Sequence, residues 1–342
     1  MKYKNFNLWF VFALLCVISA CEKDTAVDDN IESEHETSNG YVLYSFIGDN
    51  TTYLIDSTGA EIKTWWSSNS SSGGYYLSEN NTLLRLGKSS EANNGTFSSG
   101  GLVSSVIEEL DDDSGVIWSI NKDSDESTFH HDFKEVDTNT IIALSWQLRT
   151  YNDSDYWNEV VILIDKTDNS VIWEWSAMDD GGIFPEVNDQ EDYLHFNSVD
   201  YKDGNVLISS RSENTLYLID KESKRIITEL TAEGALSGQH DATFLDNGNI
   251  LVFNNNAETA KSAVLEITRS DELVWQYSND FYSDHISGTQ RLESGHTLIC
   301  SGVEAHLIEV TDSGEVVWDY TVESTNSNRP TEVFKVRKYT DF

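Results

Sequence analysis

The chain has few basic residues. Its 342 residues include 22 Lys and Arg against 59 Asp and Glu, which gives a formal net charge of -37 at pH 7. A charge of this sign and size repels phosphate backbones and anionic lipid headgroups at long range. The composition therefore argues against DNA, RNA or any other nucleic acid as a partner.

Cysteine and long hydrophobic runs are also scarce. Cys16 and Cys21 lie in the N-terminal segment, so the rest of the chain holds only Cys300, and a disulfide within it is excluded. The apolar run at 8–18 is shorter than the roughly 20 residues of a transmembrane helix, which disfavours a permanent membrane span. Hydrophobic residues nevertheless make up 39% of the chain and aromatic residues 11%, enough for a large globular core.

The N-terminus has the layout of an export signal. Lys2 and Lys4 precede the apolar run, which is typical of a secretory signal. The ending Ile18-Ser19-Ala20-Cys21 resembles a bacterial lipoprotein signal, which implies cleavage before Cys21 and lipidation of its thiol. An ordinary soluble secretory signal is the alternative.

The lipoprotein interpretation divides the chain into three parts. We expect a signal peptide at 1–20, an acidic flexible tether at 21–40 and one folded domain at 41–342. The protein would then be an exported bacterial lipoprotein of the cell envelope, held by a lipid anchor on a membrane and facing the periplasm or the cell surface.

A recurrent phrase runs through the folded part: an apolar pair, an acid or Thr, a turn, a second apolar pair and often Trp. Each copy predicts two β-strands around a tight turn, because Asp, Ser, Asn and Gly supply turn geometry between β-branched runs. The six copies are residues 53–65, 107–118, 163–175, 218–227, 265–275 and 307–318.

A second strand-turn-strand phrase alternates with the first. Its copies are residues 131–144, 195–211, 239–253 and 285–300, with outlying copies at 75–86 and 329–339. Four strands per unit, repeated six times, predict an all-β fold, a six-bladed β-propeller with four-stranded blades and a central channel. Longer spacing predicts insertions at 121–128 and 178–192 that cap one face.

Four of the eight histidines open the same predicted strand in successive units. These are His131, His195, His240 and His285, the last three spaced 45 and 45 residues apart. Equivalent positions of propeller blades converge on the central axis, so we expect the four to form one pocket. Blades also need polar residues at the inner rim to satisfy backbone groups, which is the structural alternative.

The other histidines have simpler interpretations. His296 falls at a turn and His306 on an outer strand, and both are interpreted as structural. His130 neighbours His131, and because side chains alternate along a strand, only one of the two points to the channel. The match of His131-Asp132 to His240-Asp241 favours His131.

Several of these residues occur in phrases that identify a family. The motifs on which the resemblance depends are His130-His131-Asp132, His195-Phe196-Asn197-Ser198, Ser209-Ser210-Arg211 and Gln239-His240-Asp241, in that order. With them the chain resembles the bacterial arylsulfate sulfotransferase family. The resemblance implies a propeller enzyme that moves a sulfuryl group from an aryl sulfate donor to a phenolic acceptor through a sulfated histidine, with no cofactor or nucleotide sulfate.

The resemblance also implies roles for individual residues. His240 matches the nucleophile, Arg211, His195 and Asn197 match the groups around the sulfate, and His131 matches a further active-site histidine. His285 and Thr289 are candidate substrate-binding residues on the copy of the second phrase at 285–300. Well-studied relatives carry an extra N-terminal domain and a disulfide, and we expect neither in this chain.

Two other functions stay open at this point. A non-catalytic, lipid-anchored propeller could bind a glycan or a protein, because a fold alone sets no function. Three or four converging histidines could hold zinc, although we predict no metal. The acidic segments at 111–115 and 121–126 hint at calcium, but Glu126 stands where a calcium loop requires Gly, and acidic turns are the simpler interpretation.

Overall fold

The structure is a computed structural model that describes residues 39–92, 95–97, 101–186, 190–256, 259–324 and 331–342. The predicted signal peptide, Cys21 and nearly all of the predicted tether lie outside these residues. Within the described residues, twenty-five strands form six antiparallel sheets, and the two short 3-10 helices are Gly95–Phe97 and Gly302–Glu304.

The first three blades follow the repeat. Blade 1 contains β1 (Tyr41–Tyr44), β2 (Thr51–Ile55) and β3 (Glu61–Trp66). Blade 2 contains β4 (Ser70–Leu77), β5 (Leu83–Lys88), β7 (Val106–Leu110) and β8 (Val116–Asn121). Blade 3 contains β9 (Ser127–Asp137), β10 (Thr140–Tyr151), β11 (Ser154–Asp165) and β12 (Ser170–Ser176), with the short β6 (Val103–Ser104) added beside β9.

The last three blades are regular. Blade 4 contains β13 (Phe196–Lys202), β14 (Asn205–Ser210), β15 (Thr215–Asp220) and β16 (Ile226–Leu230). Blade 5 contains β17 (His240–Phe244), β18 (Ile250–Asn254), β19 (Ala263–Ile267) and β20 (Leu273–Tyr277). Blade 6 contains β21 (Gly288–Arg291), β22 (Thr297–Ser301), β23 (His306–Val310) and β24 (Val316–Thr321).

The ring closes through blade 1, where both ends of the folded part meet. Strand β25 (Arg337–Tyr339) supplies its inner strand and pairs antiparallel with β1, with Tyr41 opposite Tyr339. The six-bladed prediction is confirmed, and the first sequence phrase forms the two outer strands of every blade. The fifth strand of blade 3 is the one departure from four-stranded blades.

Tryptophans of the repeat connect four of the six blades to the blade that follows. In four blades the indole N–H of the outer strand donates to a turn of the following blade. The bonds run from Trp118 to Asn169 (2.8 Å), Trp173 to the Lys221 carbonyl (2.9 Å), Trp275 to the Asp312 carbonyl (3.0 Å) and Trp318 to the Ser57 carbonyl (2.8 Å). Packing between blades therefore explains why Trp recurs in the phrase.

The predicted insertion at 121–128 is wrong. Only residues 122–126 separate β8 from β9, so this segment is a short connection. The extra length lies between β5 and β7 and in the hairpin of β10 and β11, whose strands have 12 residues each. The segment at 178–192 does separate β12 from β13, and its Asp192 reaches the site described below.

The axis of the propeller is crossed by a buried ion cluster. Lys335 Nζ donates to Asp132 Oδ1 (2.8 Å) and Asp241 Oδ1 (3.1 Å), and Arg337 donates to both oxygens of Asp241. A Cβ on Gly288 would lie 2.4 Å from Asp241 Oδ2, so only glycine leaves room for that carboxylate. Because these charged residues come from blades 1, 3 and 5, they meet at the axis. They separate the two ends of the expected channel.

Candidate active site

Histidines of four blades meet in a cavity at one end of the axis. The cavity has a volume of about 400 Å³ and is lined by Ile47, Gly101, Leu102, His131, His195, Arg211, His240, His285, Ile286 and Glu332. The ring centroids of His131 and His195 are 4.8 Å apart. A cavity of this size suits a small molecule.

The histidines do not occupy strictly equivalent positions. Asp132, Ser198 and Asp241 each accept a hydrogen bond from the inner strand of the next blade, at the N–H of Val199, Ala242 and Thr289, respectively. By this register the residue equivalent to His131 and His240 in blade 4 is Asn197. His195 lies two residues earlier in the chain, and it enters the cavity from the segment before β13.

His131 and His195 both have left-handed backbone conformations, with φ of 47° and 51°. Such conformations are uncommon for residues other than glycine and cost about 1 kcal/mol each. Strain of this kind is often concentrated where side chains must be aimed at a functional site.

His240 is held with one ring nitrogen bonded and the other facing the cavity. Its Nδ1 lies 2.7 Å from Asn255 Oδ1 and 3.0 Å from the Gly238 carbonyl oxygen. The amide of Asn255 cannot be reversed, because its Nδ2 donates to the carbonyls of Ser283 (2.9 Å) and Ile286 (3.0 Å). Both neighbours of Nδ1 are therefore acceptors, so Nδ1 carries the proton and Nε2 keeps its lone pair.

The surroundings of His240 keep this lone pair available. Burial, aided by the nearby positive charge of Arg211 and opposed by the hydrogen bond to Asn255, lowers the pKa of His240 from 6.5 to about 3. The imidazole is thus neutral near pH 7, which is the form that acts as a nucleophile.

His195 is oriented by a carboxylate. Its Nδ1 lies 2.5 Å from Asp192 Oδ2, so Nδ1–H donates to the acid and Nε2 is directed into the cavity. The carbonyl of His195 also accepts a hydrogen bond of 3.1 Å from the backbone N–H of Arg211. This bond ties the start of blade 4 to the end of its second strand.

Arg211 brings a positive charge to the cavity. Among the described residues, no carboxylate forms a salt bridge with its guanidinium, whereas Arg149, Arg291 and Arg337 each have an acidic partner. A planar guanidinium with free donors suits a sulfate or phosphate oxyanion.

His131 is nearly fully buried, with 2% of its surface exposed, and its Nδ1 lies 2.9 Å from Nδ1 of His130. His130 points away from the axis, as predicted, and stacks on the Trp146 indole with ring centroids 4.1 Å apart. Burial, together with the neighbouring histidines, lowers the pKa of His131 well below its usual value.

Asn197 and Thr289 lie outside the lining of this cavity. Asn197 is fully buried, and its amide donates to the Gln239 carbonyl (2.7 Å), one residue before His240. Thr289 lines a cavity of about 490 Å³ at the other ends of the inner strands, together with Val136, Phe244 and Arg291. The structure therefore brings together His131, His195, Arg211, His240 and His285, but not these two.

The remaining histidines and acidic turns are outside the site. His296 lies 2.7 Å from Glu309 and His306 lies 2.8 Å from Asp319, and neither lines the cavity. Asp111 accepts hydrogen bonds from the N–H groups of Asp113 (3.0 Å) and Gly115 (2.7 Å), as in an ordinary turn. In the part of the chain that the structure describes, no group of three or more His, Cys, Asp or Glu side chains is arranged to hold a metal ion.

Sequence reasoning missed the residues that support the histidines. Asp192, Asn255, Glu159 and Lys335 are absent from the aligned phrases or stand at positions where an acid or amide looks unremarkable. A weak signal existed for Asn255, which follows strand β18 in the run 254–256 of three asparagines.

The fold and site define a six-bladed propeller with a cavity on its axis that is lined by histidines and one arginine. A model of the arylsulfotransferase (ASST) family matches residues 93–323, and the chain belongs to that family. Membership supports an arylsulfate sulfotransferase activity in general, with an aryl sulfate as donor and a phenol as acceptor. The family expectation from the sequence is thereby confirmed.

Solved structures with the same fold are distant in sequence. A protein of unknown function from Bacteroides caccae is 12% identical with a TM-score of 0.63, covering 89% of this chain and all of that one. A streptogramin B lyase is 11% identical with a TM-score of 0.51, covering 89% of this chain and 92% of that one. At these identities the likeness shows the fold alone. No curated protein matches the chain.

Among the described residues, no helix is both long and apolar enough to cross a bilayer.

Proposed function

We propose that the protein transfers a sulfuryl group from a phenolic sulfate ester to a phenol through a sulfohistidine at His240, without a nucleotide sulfate. The observation that carries the proposal is the fixed tautomer of His240, which leaves the Nε2 lone pair in a cavity that also contains Arg211. Family membership supports the same reaction class.

In the first half-reaction, Nε2 of His240 attacks the sulfur of the donor. The N–S bond forms as the bond from sulfur to the phenolic oxygen breaks, and the electron pair of that bond leaves with the phenolate. Arg211 donates to the sulfuryl oxygens, whose charge must be stabilised in the transition state, and His195 adds a second donor in the form that carries a proton on Nε2 as well as on Nδ1.

In the second half-reaction, the oxygen of an acceptor phenol attacks the same sulfur. The N–S bond breaks, its electron pair returns to Nε2 of His240, and the phenolic proton passes to a base in the cavity. Two displacements on one neutral imidazole replace a single encounter of donor and acceptor, which is the usual benefit of covalent catalysis.

The test uses a chromogenic donor, 4-nitrophenyl sulfate. Mixing the enzyme with donor alone should release a burst of nitrophenol equal to the enzyme concentration, and adding phenol should give ping-pong turnover. Peptide mass spectrometry at alkaline pH should locate the added sulfuryl group on His240. His240→Ala should abolish the burst and the adduct, whereas His195→Ala should slow both.

Other outcomes separate the alternatives. Continuous release of nitrophenol without an acceptor would mean a sulfatase, and no release at all would favour a non-catalytic binding propeller. An adduct on His131 or His195 that persists in His240→Ala would remove His240 as the nucleophile.

We also propose that the protein is exported and held on a membrane through a lipid on Cys21. The support is the sequence Ile18-Ser19-Ala20-Cys21 behind a charged and then apolar segment. A strongly acidic domain has little affinity of its own for anionic membranes, so a covalent anchor would be its means of attachment.

A further inference from the structure

A chain of buried polar groups leads away from the cavity behind His131. Nδ1 of His131 lies 2.9 Å from Nδ1 of His130, and Nε2 of His130 lies 3.0 Å from Glu159 Oε2. The alignment of this contact is not that of a hydrogen bond, and neither His130 Nε2 nor Glu159 Oε2 has a hydrogen-bond partner among the described residues. At this distance each is the available partner of the other. The side chains of His130 and Glu159 are fully buried, whereas His131 lines the cavity.

The other oxygen of Glu159 fixes the carboxyl group in place. Glu159 Oε1 accepts hydrogen bonds from the Trp146 indole (3.0 Å) and from the N–H of Phe196 (2.7 Å). The Trp146 ring also lies flat against His130. These two bonds set the position of Oε2 toward His130.

From this geometry we infer that Glu159 and His130 form a proton relay that lets His131 act as acid and base toward the phenolic oxygen while its ring stays neutral. The inference rests on the proposed function. Glu159 and His130 do not touch the substrate, and they act through His131.

The relay has two proton arrangements. In the first, Glu159 is ionised, His130 donates from Nε2 to the carboxylate, and His131 donates from Nδ1 to His130, which leaves Nε2 of His131 as a base. In the second, Glu159 is protonated and donates to His130, and His130 donates from Nδ1 to His131, whose Nε2 then carries a proton. The arrangements differ by one proton, and both rings are neutral in each.

Each half-reaction moves protons through the relay in one direction. When the acceptor phenol attacks, its proton goes to His131 Nε2, the Nδ1 proton of His131 goes to His130, and the Nε2 proton of His130 goes to Glu159. When a donor phenolate leaves, the same three transfers run backward and protonate its oxygen. The charge change falls on Glu159, away from the sulfuryl oxygens.

The electrostatics favour placing the charge change on Glu159 while the two imidazoles stay neutral. Burial, together with Asp192, raises the pKa of Glu159 well above its usual value, and burial lowers the pKa of His130 to about 3. A neutral carboxyl group beside neutral imidazoles therefore costs less than an imidazolium ion. The charged and titratable neighbours are Asp192 and His195 from the segment before β13, and His240 and Arg211 across the cavity.

Glu159→Gln keeps the shape of the side chain but cannot take up a proton. We expect its burst with 4-nitrophenyl sulfate to remain close to that of the natural protein, because nitrophenolate leaves without protonation. Transfer to unsubstituted phenol should fall by about 10²-fold, the usual scale of general acid–base catalysis. An acceptor that is already ionised at the assay pH should restore much of the lost rate.

Glu309→Gln is the matched control. Glu309 is also fully buried and contacts a histidine, His296, at 2.7 Å, but it lies in blade 6 outside the cavity. This variant should keep the natural ratio between burst rate and transfer rate. If Glu159→Gln slows both half-reactions equally, and an ionised acceptor gives no rescue, Glu159 has only a structural role and the relay is wrong.

A measurement on the unaltered protein covers the case in which Glu159→Gln does not fold. In mixtures of light and heavy water, the transfer rate to phenol should depend on deuterium fraction along a curve, because several protons move together. A straight line, indicating one proton, would mean that His131 acts alone and would overturn the relay. The absence of a burst in the unaltered protein would instead contradict the proposed function.

Discussion

Asn255 Oδ1 accepts a hydrogen bond of 2.7 Å from His240 Nδ1, and the Nδ2 group of the same amide donates to the Ser283 and Ile286 carbonyls. The side chain of Asn255 is fully buried. Its bonds therefore decide which nitrogen of His240 is free, from a position outside the cavity lining.

Replacing Asn255 tests this arrangement. Asn255→Ala should slow the nitrophenol burst by the equivalent of about 1–3 kcal/mol, because a fixed acceptor is lost, while the Gly238 carbonyl still partly orients the ring. Asn255→Asp would set a negative charge beside Nδ1, raise the pKa of His240 and move the acid limb of the burst-rate profile to higher pH. Profiles that superimpose on that of the natural protein would show that Asn255 does not position His240.

Arg211→Lys should weaken the transition state while keeping the charge. Lysine lacks the planar fork of donors, and we expect a loss of about 2–4 kcal/mol in kcat/KM for the donor. Arg149→Lys is the control, because Arg149 lies on the surface with 47% of its side chain exposed. Near-normal turnover of Arg211→Lys would remove this residue from the sulfate site.

The axial ion cluster should be sensitive to loss of its lysine. Lys335→Met leaves Asp132 and Asp241 buried with less compensation, and urea unfolding should show a loss of about 3–5 kcal/mol. By contrast, Arg149→Met breaks an exposed pair with Asp179 and should cost less than about 1 kcal/mol. Equal losses in the two variants would show that the cluster adds little to stability.

Burial of His240 should make stability depend on pH. The pKa of His240 is about 3 in the folded protein, against 6.5 for an unperturbed histidine such as that of the unfolded chain. Below pH 6.5 the unfolded chain therefore binds a proton that the folded chain does not. Stability should therefore fall as the pH falls from 6.5 toward 3, by up to about 1.4 kcal/mol per pH unit from this group. Urea unfolding between pH 7 and 4 should show a smaller fall for His240→Gln, and parallel curves would contradict the shift.

The anchor prediction concerns Cys21. Cys21→Ser should leave the sulfotransfer activity of the domain intact but release the protein from the membrane fraction, because the lipid would no longer be attached. Fractionation of cells that produce either form, followed by assay of both fractions, measures this. A Cys21→Ser protein that stays with membranes would refute anchoring through this residue.

The sequence by itself determined the propeller, because its signals are local. Turn residues between β-branched runs specify hairpins wherever they occur, and six copies of them predict six blades. The copies also placed His131, His195, His240 and His285 near the starts of inner strands, and the rotational arrangement of blades brings such positions together.

Only the tertiary structure decided how these histidines are used. The hydrogen bonds that Asn255 and Glu159 accept join residues on separate segments and depend on how the strands pack. The bond that Asp192 accepts from His195 depends on how the segment before β13 bends. His195 reaches the cavity from two residues before the position of Asn197 through a left-handed backbone, which no repeat spacing reveals. Thr289 falls at the opposite end of the axis because side-chain direction and strand register are set by the assembled ring rather than by local sequence.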